Sequence, residues 1–313
     1  MSHRAAPVAE ILVIGETLID IVADSGGVRE LPGGSPANVA VVLGRLGREP
    51  VLATTLADDA RGIAALRWLD ASGVNVLAQP PATGRTSTAA VRLDVNGSAA
   101  YEFDLTWDLT QETLARAVGD PAVVHAGSIA TVLEPGADAV EAAFLAARGR
   151  ALVTFDPNAR PTITPDREKV LPRVERLVAA SDVVKVSEED LAWYRPGVDP
   201  VEVAREWAAN GPILVVVTRG AEGSVLVRGD DLVEVSGISV TVADTIGAGD
   251  TFMGALIDAL MGLGALGPKA GDVLANLTVE ELRWAAIWAA QAAAITVSRP
   301  GADPPTRAEL GGY

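Results

Sequence analysis

Asp244-Thr245-Ile246-Gly247-Ala248-Gly249-Asp250-Thr251-Phe252 is the most informative run of the chain. A strand-like run, Ile238-Ser239-Val240-Thr241-Val242, precedes it, and an apolar helical run from Phe252 to Met261 follows. Small residues between the two let successive backbone N–H groups converge on an oxyanion at the helix start. Asp250 then stands where the anion would sit, well placed to take a proton from a hydroxyl that attacks a phosphate. The same spacing also describes an ordinary helix start with an acid complementing the dipole. Spacing alone leaves both readings open.

Outward from this motif, composition narrows the field. The chain has 313 residues, 49% hydrophobic and 21% charged, with Lys+Arg 25 against Asp+Glu 41 and a net charge of −16. Such an acidic soluble chain is not expected to bind nucleic acid or an anionic membrane by general electrostatics. A nucleotide would have to be held by local devices: amides, helix ends, a cation and a few arginines. The absence of cysteine excludes disulfides, thiolate metal sites and a Cys nucleophile. Two histidines, His3 in a lead read as disordered over residues 1–9 and His125, exclude a His-based metal cluster. Ile11 to Ile14 is too short for a signal peptide, and the Ala-rich run from Trp284 to Val297 falls short of a membrane span. The expected location is cytoplasmic.

The flanking pattern is βα repetition. Glu10 to Gly15 reads as a strand buried on both faces, Glu16 to Val22 as a half-alternating strand, and Leu31 to Pro36 as a turn onto a helix. Val51 to Leu56 is a strand and Ala60 to Ser72 a helix. Residues from Thr86 to Phe103 alternate around Asn96-Gly97, the signature of an antiparallel hairpin and so of a small separate sheet. From Ala122 strands and helices alternate regularly, which predicts a mostly parallel sheet with helices on both faces. The simplest reading is one domain, 1–313, with a β lid from about 17–32 and 85–106.

Ligands of open α/β sheets sit beyond the carboxyl ends of the strands. The polar residues there are Asp20, Gly33-Gly34 with Asn38, Gly127-Ser128, Asp156-Pro157-Asn158-Ala159-Arg160, Lys185 with Ser187-Glu188, Thr218-Arg219-Gly220, and Asp244 to Asp250. Each alone reads as a turn or cap. Together they suit a hydroxylated ligand at one end and a phosphate at the other. Competing motifs fail: G-x-G-x-x-G spacing is missing, and no lysine follows a glycine as a P-loop requires. His125 reads as a packed strand-end residue.

Asp244 to Asp250, followed by Gly254-Ala255-Leu256, resembles the C-terminal signature of the PfkB (ribokinase-like) carbohydrate kinases. Gly33-Gly34-Ser35-Pro36-Ala37-Asn38-Val39-Ala40, with Gly47, resembles their N-terminal signature, and the likeness runs from Gly15-Glu16 to Ala302. It implies a three-layer α/β/α core with a β lid, and transfer of the ATP γ-phosphoryl group to a sugar hydroxyl with Mg²⁺. By position, Asp250 is the general base and Gly247, Ala248 and Gly249 the anion hole. Asp20, Gly33, Gly34 and Asn38 hold the sugar, with Phe103 and Arg160 beside them. Lys185, Glu188, Thr218, Arg219, Gly220 and Gly223, with Gly249, face the nucleotide, and residues near Val297 to Ala302 lie beside adenine. A homodimer joined through the lid is an assembly the resemblance allows.

Three departures stand out. The family's Asn-x-x-Glu motif reads Lys185-Val186-Ser187-Glu188, which keeps Glu188 near water-held Mg²⁺ but exchanges an amide for a cation. Ala57 replaces a glycine at the end of the N-terminal signature. Pro305 falls where ribokinases offer a hydroxyl near a monovalent-cation site, which argues against potassium activation, although Asp244 and carbonyls could still form one. Gly15 to Asp20, Leu31 to Asn38 and Lys185 to Glu189 look most like the fructokinase branch. The lid run Tyr101 to Trp107 is read as placing Glu102 and Asp104 near the substrate, which favours a neutral sugar. The expected product is fructose 6-phosphate. Alternatives are another neutral sugar or a nucleoside (ribose, adenosine), 2-keto-3-deoxygluconate, or a catalytically silent sugar-sensing relative.

Overall fold

The computed structural model describes residues 10–24, 27–93, 99–116 and 120–311. The expected lead at 1–9, with His3, and the Asn96-Gly97 turn lie outside the described residues. The chain opens with β1 (Ile11–Ile14), β2 (Leu18–Asp24) and β3 (Gly27–Gly33). Then come α1 (Ser35–Arg45), β4 (Pro50–Thr55), α2 (Ala60–Ala71), β5 (Asn75–Gln79), β6 (Thr88–Leu93) and β7 (Ala99–Asp104). After the short α3 (Gln111–Leu114) follow β8 (Val123–Gly127), α4 (Gly136–Ala147), β9 (Leu152–Asp156), α5 (Arg167–Ala180) and β10 (Val183–Ser187). The remainder is α6 (Glu188–Tyr194), α7 (Pro200–Ala209), β11 (Leu214–Thr218), β12 (Gly223–Arg228), β13 (Asp231–Ser236), α8 (Ala248–Gly262), α9 (Ala270–Asn276) and α10 (Val279–Val297).

Nine strands form one sheet in the order β13-β12-β11-β10-β9-β8-β1-β4-β5, parallel from β11 to β5, with the β12–β13 hairpin added antiparallel. Continuous apolar runs such as Ile11-Leu12-Val13-Ile14 follow from burial on both faces. Ile11 and Val13 pack with α1, α8, α9 and α10, while Leu12 and Ile14 pack with α4 to α7, giving the three layers. Connections from β1 run outward one way to β4 and β5 and the other way to β8, so the order reverses between β1 and β8. A crevice opens at such a reversal.

The second sheet has four strands in the order β3-β2-β6-β7. Its β6–β7 pair is the expected antiparallel hairpin, with Thr88 opposite Asp104 and Ala90 opposite Glu102. Two readings of the sequence need correction. Of the segment expected as a turn from Leu31 to Pro36, Leu31 to Gly33 is the end of β3, paired to β2. Ile238 to Val242 is not a strand: it pairs with no strand among the described residues, and Ile238, Val240 and Val242 are exposed. Among the described residues no single helix is long and apolar enough to cross a membrane.

Helices α1 and α8 come from opposite ends of the chain and pack directly on each other. Gly254 makes this possible, because a Cβ there would stand 2.7 Å from Val42 Cβ and 3.2 Å from the Val39 carbonyl. The same seam is fastened from outside by Asp258 of α8. Its buried carboxylate takes Arg48 Nε at 2.8 Å, Arg307 Nη2 at 2.6 Å and Trp288 Nε1 at 3.2 Å.

Candidate active site

The start of α8 is built on Gly247, whose φ of +74° is left-handed and whose Cβ, if present, would lie 2.6 Å from Ala302 Cβ. No side chain caps this helix. Apart from Ala248 N–H, which reaches the Thr245 carbonyl at 3.3 Å, the amides of its first turn, with the helix dipole behind them, form a seat for an anion. Asp250 sits in that turn and is only 6% exposed. Burying a carboxylate is costly unless it is hydrogen-bonded, and three neutral donors meet this one. Ser35 Oγ donates to Oδ1 at 2.6 Å, Asn38 Nδ2 to Oδ2 at 2.7 Å, and Asn158 Nδ2 to Oδ1 at 3.3 Å and to Ser35 Oγ at 2.7 Å.

Ser35 and Asn38 lie on the first turn of α1, one helical turn apart. Gly34, at φ +109°, turns the chain into that helix, and any Cβ there would meet the Glu16 carbonyl at 2.5 Å. Asn158 follows β9 with φ +39°, a conformation asparagine tolerates better than most residues. The side-chain oxygen of Asn38 is buried and has no hydrogen-bond partner among the described residues.

Beside this cradle is a second acidic region. Asp20 lies against Gly33, where a Cβ would come 2.3 Å from Oδ2. Burial pushes the Asp20 carboxyl up to about 6, with the Arg160 charge pulling the other way. Burial likewise raises Glu16 to about 7; Ala130 N–H donates to it at 3.2 Å, and Arg160 again opposes the shift. The Arg160 guanidinium is held over this region by the Asn158 side-chain oxygen at 2.5 Å and the Ala159 carbonyl at 3.0 Å. In the small sheet Leu31, Asp20, Ala89 and Phe103 form one row across the strands, so Phe103 shares the face of Asp20. Glu102 and Asp104 fall in the alternate register, on the opposite face, and Asp104 pairs with Arg85 at 3.2 Å. The expectation that these two acids face the substrate is corrected by that alternation.

On the other side of Asp250 the strand ends of β9 and β10 bring two buried charges together. Lys185 Nζ is 2.7 Å from Asp156 Oδ2, and the ammonium would be 3.2 Å from a Cβ at Gly249. Glu188 is half-buried at the first position of α6. Ser187 caps that helix, its Oγ taking the Asp190 N–H at 3.0 Å, and Asp190 Oδ1 takes the Ala159 N–H at 2.9 Å. Thr218, Arg219, Gly220 and Gly223 form the next strand end over, closed by Arg219 N–H to the Gly223 carbonyl at 2.8 Å. No hydrogen bond or ion pair among the described residues joins them to Asp250.

Asp244 takes the Ile246 and Gly301 amides at 3.0 and 2.9 Å. The first of these bonds leads in holding its carboxyl below the usual range. A cleft of about 250 Å³ adjoins these loops, lined by Ile238, Val240, Ala294, Ile295 and Leu310 together with the polar Gln291, Ser298 and Glu309. His125 is buried between strands, its Nδ1 3.0 Å from Thr154 Oγ1, and burial followed by the Lys185 charge lowers its pKa to about 3.

Five residues of this constellation, Ser35, Glu16, Asp156, Asn158 and Asp190, carry no assigned role in the sequence alone. Ser35 sits inside the glycine-rich N-terminal signature, and Glu16 opens a strand-like run. Asp156 and Asn158 stood among the strand-end candidates without a role, and a polar residue pair straddling a proline after a buried strand was the available signal. Asp190, which bonds the Asn158 loop, was hidden behind Glu188 and Glu189 in the same acidic run.

Residues 8–309 match the model of the pfkB family carbohydrate kinases. The chain is 36% identical over 263 residues to a fructokinase of Rhizobium leguminosarum bv. trifolii, covering 80% of this chain and 79% of that protein. A crystal structure of a fructokinase double mutant from Vibrio cholerae O395, with fructose, ADP and potassium ion bound, superposes with a TM-score of 0.82 at 27% identity, over 98% of both chains. The fructokinase of Xylella fastidiosa with bound ATP gives a TM-score of 0.82 at 26% identity, over 96% of this chain and 97% of that one.

Proposed function

The chain belongs to the pfkB family of carbohydrate kinases, and from that premise we propose that it transfers the γ-phosphoryl group of ATP to fructose, giving fructose 6-phosphate. The observation that carries the reading is the cradle of Asp250: a buried carboxylate fixed by three donors at an uncapped helix start. Held this way, Asp250 accepts the proton of the attacking hydroxyl as the new O–P bond forms. The α8 amides take the phosphoryl oxygens while their charge redistributes. Bulk at 247 or 249 would displace either Ala302 or the Lys185 ammonium.

The sugar lies between Asp20, Gly33, Gly34, Asn38 and the Phe103 face of the small sheet, which acts as the lid. Arg160 acts on both Asp20 and Glu16, so it is not a lone cation waiting for a sugar carboxylate. That favours fructose over 2-keto-3-deoxygluconate. Adenine occupies the apolar cleft of Ile238, Val240, Ala294 and Ile295, and the phosphates run from there past Thr218 to Gly223 toward Lys185.

Magnesium arriving with ATP would offset the charge of the phosphates. Among the described residues no group of three or more acids and histidines is set to hold a metal. Mg²⁺ keeps several waters and needs few carboxylates, so the half-buried Glu188 beside the phosphate path would fit it through water. Asp244 already ties its turn to Gly301, and exchanging potassium for choline is expected to leave turnover unchanged. The exposed edge strand β3, with Val28 68% and Leu31 48% exposed, is where a second copy would join the lid, testable by sedimentation. The expected compartment is the cytoplasm.

The deciding experiment is coupled ADP release over fructose, ribose, 2-keto-3-deoxygluconate, adenosine and hexose phosphates. Fructose is expected to give the highest kcat/KM. Silence across the whole panel overturns the kinase reading, and turnover confined to ribose or a nucleoside overturns fructose.

A further inference from the structure

The Asp156–Lys185 pair is expensive to build. Asp156 is 0% exposed and the Lys185 side chain 4%, and taking two ions from water costs several kcal/mol each before their attraction returns any of it. A buried pair of this kind often stabilises no better than apolar residues of the same volume. Its position is informative. The pair lies in the sheet face that carries α8, and the ammonium rests against Gly249, in the turn that also carries Asp250. The second Asp156 oxygen is buried with no partner among the described residues. Burial, and the negative charges of Asp190 and Asp250, push the Asp156 carboxyl up, while Lys185 pulls it down. His125, on the same face, is held neutral by burial and by Lys185 and supplies no charge.

Every other donor to the α8 turn is neutral. The cradle of Asp250 consists of a hydroxyl and two amides, and the helix start offers backbone N–H groups. A phosphoryl group entering there brings negative charge next to three carboxylates, Asp250, Asp156 and Asp190.

We infer that Asp156 is a positioning residue that holds the Lys185 ammonium against the first turn of α8, where Lys185 provides the fixed positive charge for the transferred phosphoryl group. The inference rests on the phosphoryl-transfer reading above. It accounts for glycine at 249 through the ammonium as well as the phosphate. It also gives a use to the cation that stands where the family has an amide. Because Lys185 is charge-balanced by Asp156 before ATP arrives, the empty site is not strongly cationic. The ammonium is aimed at the terminal phosphate, which ADP lacks.

The test is a double-mutant cycle of wild type, K185M, D156N and the double variant. ATP and ADP affinities are measured by calorimetry with magnesium, and kcat with fructose. Hydrogen bonds to charged groups contribute about 1.5–3 kcal/mol, or roughly 10- to 100-fold. K185M is therefore expected to weaken ATP about tenfold or more while ADP stays nearly level. D156N should erode the same preference and lower kcat, and should add nothing in the K185M background. Equal losses for ATP and ADP, or additive effects on kcat, overturn the inference and leave the pair a purely structural bridge. Should K185M not fold, K185Q takes its place, and D156N alone must still reduce the ATP-over-ADP preference. Wild type that binds ATP but phosphorylates no sugar faults the functional reading while the affinity ratios still decide the inference. Wild type that binds no ATP overturns both.

Discussion

Replacing Asp250 by asparagine tests the proposed chemistry with the least disturbance. The wild-type carboxylate offers two acceptor oxygens to donors at 2.6, 2.7 and 3.3 Å. The amide of D250N offers one acceptor and turns an NH₂ toward a second donor. If that NH₂ faces Ser35, the hydroxyl can rotate to accept; if it faces Asn38, two donors confront each other. One buried bond is then lost, at about 1–3 kcal/mol, which a domain of ordinary stability, ~5–15 kcal/mol, survives. The catalytic loss is larger. Without a base the proton of the attacking hydroxyl has no acceptor in the transition state, which costs about 10²- to 10⁴-fold in kcat, or roughly 3–5 kcal/mol. KM for fructose and ATP should move little, because the lost interaction belongs to the transition state. The assay is ADP release coupled to NADH oxidation, with melting temperature recorded alongside. A well-folded D250N that keeps more than about a tenth of wild-type kcat would refute the assignment of the base.

Three further predictions concern the residues around it. S35A removes the 2.6 Å donor to Asp250 and is expected to lower kcat about tenfold or more; in the D250N background it should change kcat no further, and additivity would count against their acting together. Asp20 protonates as pH falls through about 6 and then accepts sugar hydroxyls less well, so KM for fructose should climb below that pH. D20N should show a high KM that is flat with pH, and a sloping one removes Asp20 from the role. Glu16 binds its proton more tightly folded than unfolded, with its carboxyl raised by burial from 4.5 to about 7. The native state therefore holds more protons between those values, and stability falls as pH rises through the window, by about 3 kcal/mol from this group. E16Q should flatten that part of the urea-denaturation profile between pH 5 and 8, and an unchanged slope would show that the burden lies on another acid.

The core strands were legible because burial on both faces leaves no choice of residue: Ile11 to Ile14 and Leu214 to Thr218 could hardly be anything else. Asp250 was legible for a different reason, since small residues before an acid at a helix start have a physical purpose. What the sequence hid was mostly relational. Asn75 to Gln79 passed unnoticed as β5 because a short edge strand needs little apolar pattern. Ile238 to Val242 has the β-branched alternation of a strand, yet alternation does not show pairing, and the segment joins no strand among the described residues. Serine at a helix start is chemically ordinary, and only the arrival of α8, more than two hundred positions later in the chain, makes Ser35 a partner for a carboxylate. Glu102 and Asp104 were misplaced by one step of register, enough to carry them to the wrong face.

The contact at Gly254 has a consequence for how this molecule should fail. Asp250 hangs from one wall of the α1–α8 seam and Ser35 with Asn38 from the other, while Gly254 sets the distance between the walls by having no side chain at all. The site thus works as a gauge of that gap: a drift too small to expose the core is enough to stretch two short bonds out of alignment. On gentle heating, turnover should decay before any spectroscopic sign of melting, and mutations far down the seam should silence the enzyme while leaving it fully folded.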